Sequence, residues 1–142
     1  MTEPVTVLTL RNDLSELPRI TDAVEALAER HQLTSPTVMA VNLAIEEVFT
    51  NVVSYGFDEP GEHTIELALA VRDGSVLATV ADGGRPHDPL QQDDPDVDVP
   101  LEERKIGGLG VMLVRELMDE VTYARRDGRN VLSMRKRVVA EG

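Results

Sequence analysis

The sequence predicts a two-layer α/β (α+β) sandwich, a mixed, mainly antiparallel sheet of about five strands with three helices on one face. Three observations carry that prediction. Short runs of alternating apolar residues are joined by Asp73-Gly74 and again by Asp127-Gly128, a two-residue hairpin signal. Longer stretches repeat their apolar residues at helical spacing. The resulting order, β-α-α-β-β-loop-α-β-β, is dominated by hairpins, which favours antiparallel pairing.

Val5 to Leu10 alternates Val and Thr with Leu and reads as the first strand. Asp13 and Ser15 offer helix caps, Pro18 is tolerable in a first turn, and Leu17, Ile20, Val24, Leu27 and His31 follow at helical spacing. Ser35-Pro36 starts a second helix, as a capping hydroxyl followed by a proline at the first helical position, and Tyr55-Gly56 closes it with a glycine C-cap. Within it Val41, Ile45, Val48 and Val52 form the buried stripe. Glu47 and Asn51 lie about a quarter-turn round from that stripe, at the helical step of about 100° per residue. The same flank carries Ala40, Leu43 and Ser54, mostly modest side chains that leave room for a ligand.

After turn residues at 58–61, the apolar residues Ile65, Leu67, Leu69 and Val71 alternate, and Val76 to Val80 is the returning strand. It runs into Asp82-Gly83-Gly84. From there to about Lys105 the chain is rich in Asp and Pro without periodicity, a loop of roughly 20 residues and long enough to act as a lid. Gly107, Gly108, Leu109 and Gly110 then open a helix with Val111, Leu113, Val114, Leu117 and Met118 as its apolar residues. Val121 to Arg125 and Asn130 to about Val138 form the final hairpin. No repeat or internal boundary interrupts this order, so residues 1–142 are expected to form a single domain with its lid at about 83–106.

Composition narrows the function. A formal charge of -12 argues against binding phosphate backbones, and 3% aromatics with no Trp argue against stacking platforms for single-stranded nucleic acid. With no cysteine there is no disulfide, thiol catalysis or Cys-ligated zinc. The first residues lack a signal-peptide pattern and no apolar run reaches membrane-spanning length, so a cytoplasmic location is expected.

Three patterns could carry chemistry. Glu47 and Asn51, on adjoining turns, can position a hydroxyl and a hard cation together; taken alone, a solvated pair near a helix end is the commoner arrangement. Asp82 at the end of a buried strand can accept from an amino group while Gly83 and Gly84 let a planar ring lie close, although an Asx turn leaving a strand has the same residues. The glycines at 107–110 let backbone N–H groups meet phosphate at a helix start, with Arg104 and Lys105 immediately upstream. They fit neither a Walker loop, which needs Gly-Lys-Ser/Thr, nor a dinucleotide fingerprint, which needs a strand before it. Asp93, Asp94, Asp96 and Asp98 fail as a calcium loop, because counting from Asp94 the sixth and twelfth places hold Val99 and Lys105. His63 and His87 are isolated and read as surface residues.

In their order along the chain, Glu47 to Asn51, Asp82 to Gly84, and a lid closed by Gly108-Leu109-Gly110 resemble the N box and the two glycine boxes of the histidine-kinase-like (Bergerat-fold) ATPases. Within that superfamily the small size and the stretches at 45–51 and 108–121 are similar to those of the bacterial anti-sigma-factor serine kinases. The resemblance runs from about Val5 to Val138. It implies an ATP-dependent protein serine/threonine kinase acting on a small anti-anti-sigma (STAS-type) protein, which also sequesters a sigma factor and works as a homodimer. By position, Asn51 would ligate the Mg2+ that bridges the ATP phosphates, and Glu47 would be the base for the attacking hydroxyl. Asp82 would bind the adenine amino group, with Gly84 giving the ring room. Lys105, Gly107, Gly108, Leu109 and Gly110 would surround the phosphates, and Asn130 would stand where the family has a polar Thr at the nucleotide.

Departures are present. Pro86 replaces a second glycine, which fixes φ and removes a donor at that edge of the pocket. Ile106 stands where an arginine is frequent, with Lys105 before it. These leave an alternative open, a nucleotide-sensing, partner-binding module without efficient phosphoryl transfer. The retained Glu47 favours the kinase, since a pure sensor needs no base there.

Overall fold

The computed structural model describes residues 5–57, 61–86 and 106–138, with the side chains of 55 and 106–111 excepted. Residues 87–105 of the predicted lid, with His87, the aspartates at 93–98 and Lys105, lie outside the described residues. The elements are β1 (Thr6–Arg11), a 3-10 turn (Leu14–Glu16), α1 (Leu17–His31), α2 (Ser35–Tyr55), β2 (Thr64–Arg72), β3 (Ser75–Asp82), α3 (Ile106–Leu117), β4 (Glu120–Arg126) and β5 (Arg129–Arg137).

Local chemistry accounts for most of the boundaries. Both hairpins turn on Asp-Gly, with φ of 51° and 74° at Asp73 and Gly74 and of 51° and 75° at Asp127 and Gly128, the positive pair that a type I′ turn requires. Asp13 caps the 3-10 turn by accepting from the Ser15 N–H at 2.9 Å. The N-cap of α2 is Thr34 rather than Ser35, its hydroxyl oxygen accepting from the Thr37 N–H at 3.4 Å; Pro36 therefore sits one residue further into the first turn than the sequence suggested. Gly56 is the C-cap, but with φ -77° it stays right-handed instead of adopting the left-handed conformation usual for a glycine cap.

The sheet order is β1-β2-β3-β5-β4, and every neighbouring pair is antiparallel, so the mixed character anticipated from the sequence is absent among the described strands. β3 and β4 do run the same way, but β5 lies between them. That split arrangement explains why a helix, α3, has to carry the chain back from the end of β3 to the start of β4.

One face of the sheet supplies the core. Leu10, Ile65, Leu67, Leu69, Val76, Ala78, Val80, Leu132 and Met134 all point to it, and they meet Ile20, Val24 and Leu27 of α1 and Val114 of α3. α2 packs against both α1 and α3. Its buried surface is consequently wider than one stripe. Val41, Ile45 and Val48 are buried as expected, but so are Ala40, Ala44 and Phe49, whereas Val52 is only half-buried. Among the described residues no helix is long and apolar enough to cross a membrane.

Candidate functional site

The topology gathers five chain segments at one end of the sheet. β3 finishes there at Asp82, which is paired in register with Ile65 near the start of β2 and with Asn130 near the start of β5. α2 also finishes there, because the Gly56 carbonyl accepts from the Arg85 N–H at 3.0 Å. α3 has to begin at this end in order to deliver the chain to β4 at the other.

Asn51 stands one turn from the end of α2 and Glu47 one turn before it, both half-buried. Their neighbour Glu46 is about 100° round the helix and has different surroundings. Its Oε1 accepts from Thr21 Oγ1 on α1 at 3.3 Å and from Asn42 Nδ2 at 3.1 Å. Glu46 thus ties α2 to α1. Glu47 and Asn51 lie well round the helix from the Asn42 and Glu46 positions that meet α1, at about 100° per residue, and their side chains form no hydrogen bond with any described residue. Of two adjacent acids, one is spent on packing and the other remains available for chemistry.

Asp82 is only 4% exposed and Asn130 7%. Asp82 Oδ1 accepts from the Gly84 N–H at 2.9 Å and from Asn130 Nδ2 at 3.1 Å. The same amide group donates to the Arg85 carbonyl at 2.8 Å, and its oxygen accepts from the Tyr123 hydroxyl. Arg125 Nη1 donates to the Gly84 carbonyl at 2.9 Å. The turn after β3 is therefore held from three directions, by β5, β4 and the end of α2. Gly84 is buried, and a Cβ there would lie 2.0 Å from the Gly56 carbonyl oxygen. The sequence offers ring access as the reason for a glycine; the structure adds close backbone approach as a second.

Gly107, Gly108, Leu109 and Gly110 fall in the first turns of α3, which begins one residue earlier than expected, at Ile106. The leading N–H groups of a helix have no intrahelical acceptor and face outward from its start, a geometry suited to phosphate. Among the described residues no cluster of three or more His, Cys, Asp or Glu side chains could hold a metal by itself. A half-buried amide oxygen such as that of Asn51 suits a magnesium ion whose remaining ligands are phosphates and water.

Three supporting residues escaped the sequence reading. Gly56 and Arg125 reach the Asp82 turn from elements remote in sequence, and nothing local signals either. Tyr123 does have a signal, since it lies at an inward position of β4, where a buried phenol normally finds a hydrogen-bond partner. His63, expected at the surface, is half-buried and stacked on Phe57, with ring centroids 4.1 Å apart.

Comparison with known proteins bears on this arrangement. The chain is 32% identical over 117 residues to the serine/threonine-protein kinase BtrW of Bordetella bronchiseptica, covering 80% of this chain and 82% of that protein. It is 31% identical over 122 residues to the serine-protein kinase RsbW of Halalkalibacterium halodurans, covering 80% of this chain and 70% of the relative. In fold it is similar to the crystal structure of the RsbU and RsbW domains of Rv1364c from Mycobacterium tuberculosis, with a TM-score of 0.68 at 18% identity; 95% of this chain is covered, but only 32% of that one. A histidine kinase domain from Erythrobacter litoralis EL346 aligns with a TM-score of 0.54 at 20% identity, over 88% of this chain and 60% of the other. Residues 10–136 match the family described as the histidine kinase-like ATPase domain, and the chain belongs to that family.

Proposed function

We propose that this chain is an ATP-dependent protein serine/threonine kinase that phosphorylates a small anti-anti-sigma (STAS-type) protein and sequesters a sigma factor, as a cytoplasmic homodimer. The observation that supports it most is the junction of α2 with the turn after β3. The Gly56 carbonyl bonded to Arg85 N–H puts the helix of Glu47 and Asn51 and the strand end of Asp82 on one rim. The kinase relatives at 32% and 31% identity point the same way.

In this reading residues 1–142 form one nucleotide-binding unit whose lid is the segment at about 83–106. Asp82 accepts a hydrogen bond from the adenine amino group, and Asn130 supports that contact. Gly84 keeps the floor of the pocket flat. Backbone N–H groups of Gly107, Gly108, Leu109 and Gly110, with the Lys105 charge, hold the phosphates. The amide oxygen of Asn51 would hold Mg2+, which supplies charge neutralisation at the phosphates when bound. Glu47 orients the acceptor hydroxyl and takes its proton. Phosphoryl transfer depends mainly on positioning and charge stabilisation, so this small set of groups is sufficient.

The decisive experiment incubates the protein with Mg-ATP and a candidate STAS-type partner and follows phosphate on the partner's serine. Glu47→Ala should keep nucleotide binding and lose transfer by about 10²-fold or more, the usual contribution of a positioned general base. ATP binding without transfer to any such partner would favour the nucleotide-sensing module instead. Absence of ATP binding would overturn both readings.

A further inference from the structure

We infer that Asn130, oriented by Tyr123, is the positioning residue of base recognition. It occupies one oxygen of Asp82 so that the other alone is offered to the 6-amino group of a purine. This inference rests on the nucleotide-binding reading above.

A carboxylate oxygen offers two lone-pair sites, and both sites of Asp82 Oδ1 are taken, by the Gly84 N–H and by Asn130 Nδ2. Asp82 Oδ2 accepts from no described residue. The terminal torsion of an aspartate is broad and nearly two-fold, so without those donors the carboxylate plane could turn. Two donors on one oxygen fix it.

The amide that supplies one donor is itself fixed. Its two N–H groups go to Asp82 Oδ1 and the Arg85 carbonyl, and its oxygen accepts from the Tyr123 hydroxyl. The reversed amide would set its oxygen against two acceptors, so the surrounding network determines the orientation. Tyr123 pairs with Leu132, two residues along β5 from Asn130, which makes the hydroxyl–amide contact a diagonal one across neighbouring strands. With both of its N–H groups used inside the protein, Asn130 acts through Asp82 and not on the base. A hydroxyl that polarises the amide strengthens the N–H donated onward to Asp82.

The test compares Mg-ATP with the magnesium complex of purine riboside 5′-triphosphate, which lacks the 6-amino group, by calorimetric titration of the full chain. The wild type should prefer ATP by about tenfold or more, the value of a hydrogen bond to a charged acceptor. In Asn130→Leu that preference should fall to within about threefold of unity, and in Tyr123→Phe it should shrink by about threefold, with affinity for the analogue little changed in both. Tyr123→Phe removes one hydroxyl and keeps the ring, so it remains informative if Asn130→Leu does not fold. A merely structural role would weaken both nucleotides equally. An unchanged preference in the folded variants, beside normal wild-type binding, overturns the relay alone. Failure of the wild type to bind either nucleotide overturns the pocket reading as well.

Discussion

Replacing Gly84 by alanine tests the joint between α2 and the strand-end turn. The added Cβ would lie 2.0 Å from the Gly56 carbonyl oxygen, 2.9 Å from its carbon and 2.9 Å from Asp82 Oδ1. Ordinary contact begins near 3.4 Å, so the two backbones must separate by about 1.4 Å, the difference between 3.4 and 2.0 Å. Neither is a flexible side chain that could swing aside. Overpacking of this kind costs about 1–3 kcal/mol, and stretching the bond from Arg85 N–H to Gly56 adds about 0.5–1.5 kcal/mol. A total of about 2–4 kcal/mol corresponds, for a domain of this size, to a fall in melting temperature of about 5–15 °C. Gly83→Ala is the matched control. Its Cβ meets nothing within 4 Å, and it should stay within about 0.5 kcal/mol of the wild type. Thermal unfolding followed by circular dichroism reads both, and ATP titration should show weaker binding for Gly84→Ala, because the displaced turn carries Asp82. If the two alanine variants melt alike, the close approach does not constrain the protein and the reasoning is wrong.

Two further outcomes follow from side chains outside the proposed nucleotide pocket. Glu46→Ala removes the acceptor for Thr21 and Asn42, whose own Oδ1 is buried without a partner among the described residues, and should lower stability by about 1–3 kcal/mol in denaturant titration. Phosphotransfer per folded molecule should be unaffected, the opposite of the result for Glu47→Ala one residue along. Glu16 is buried where β1 meets the first helical turn; its Oε2 accepts from the Arg11 N–H at 2.9 Å and from Arg19 Nη1 at 2.9 Å. The Arg11 N–H above all, and then the Arg19 charge, hold its carboxyl below the usual range, while burial opposes them. A depressed folded value means that this contribution is complete above the unfolded glutamate value of about 4.3 and is lost as pH falls through the folded one. Glu16→Gln should therefore be less stable at neutral pH, yet lose less stability than the wild type between neutral pH and about pH 3, measured as urea midpoints across that range.

The sequence by itself was enough for whatever depends on near neighbours. The hairpins were legible because Asp73-Gly74 and Asp127-Gly128 must adopt positive φ together, which few other pairs do at low cost. Helices α1, α2 and α3 were legible from their apolar spacing, and Glu47 and Asn51 could be set on one flank by arithmetic alone. The sheet order was not legible. Nothing local tells β5 to enter between β3 and β4, and that insertion makes the sheet, expected to be mixed but mainly antiparallel, antiparallel at every pair of described strands. It also set Asn130 beside Asp82, which are 48 residues apart in the chain. Likewise the width of α2's buried face came from its two flanking helices, which periodicity within α2 cannot report. Two adjacent acids, Glu46 and Glu47, look alike in the sequence, and only the position of Thr21 on α1 separates a packing residue from one left available. A long-range contact is decided by the free energy of the whole packed arrangement, whereas turn chemistry and helical period are decided within a few residues.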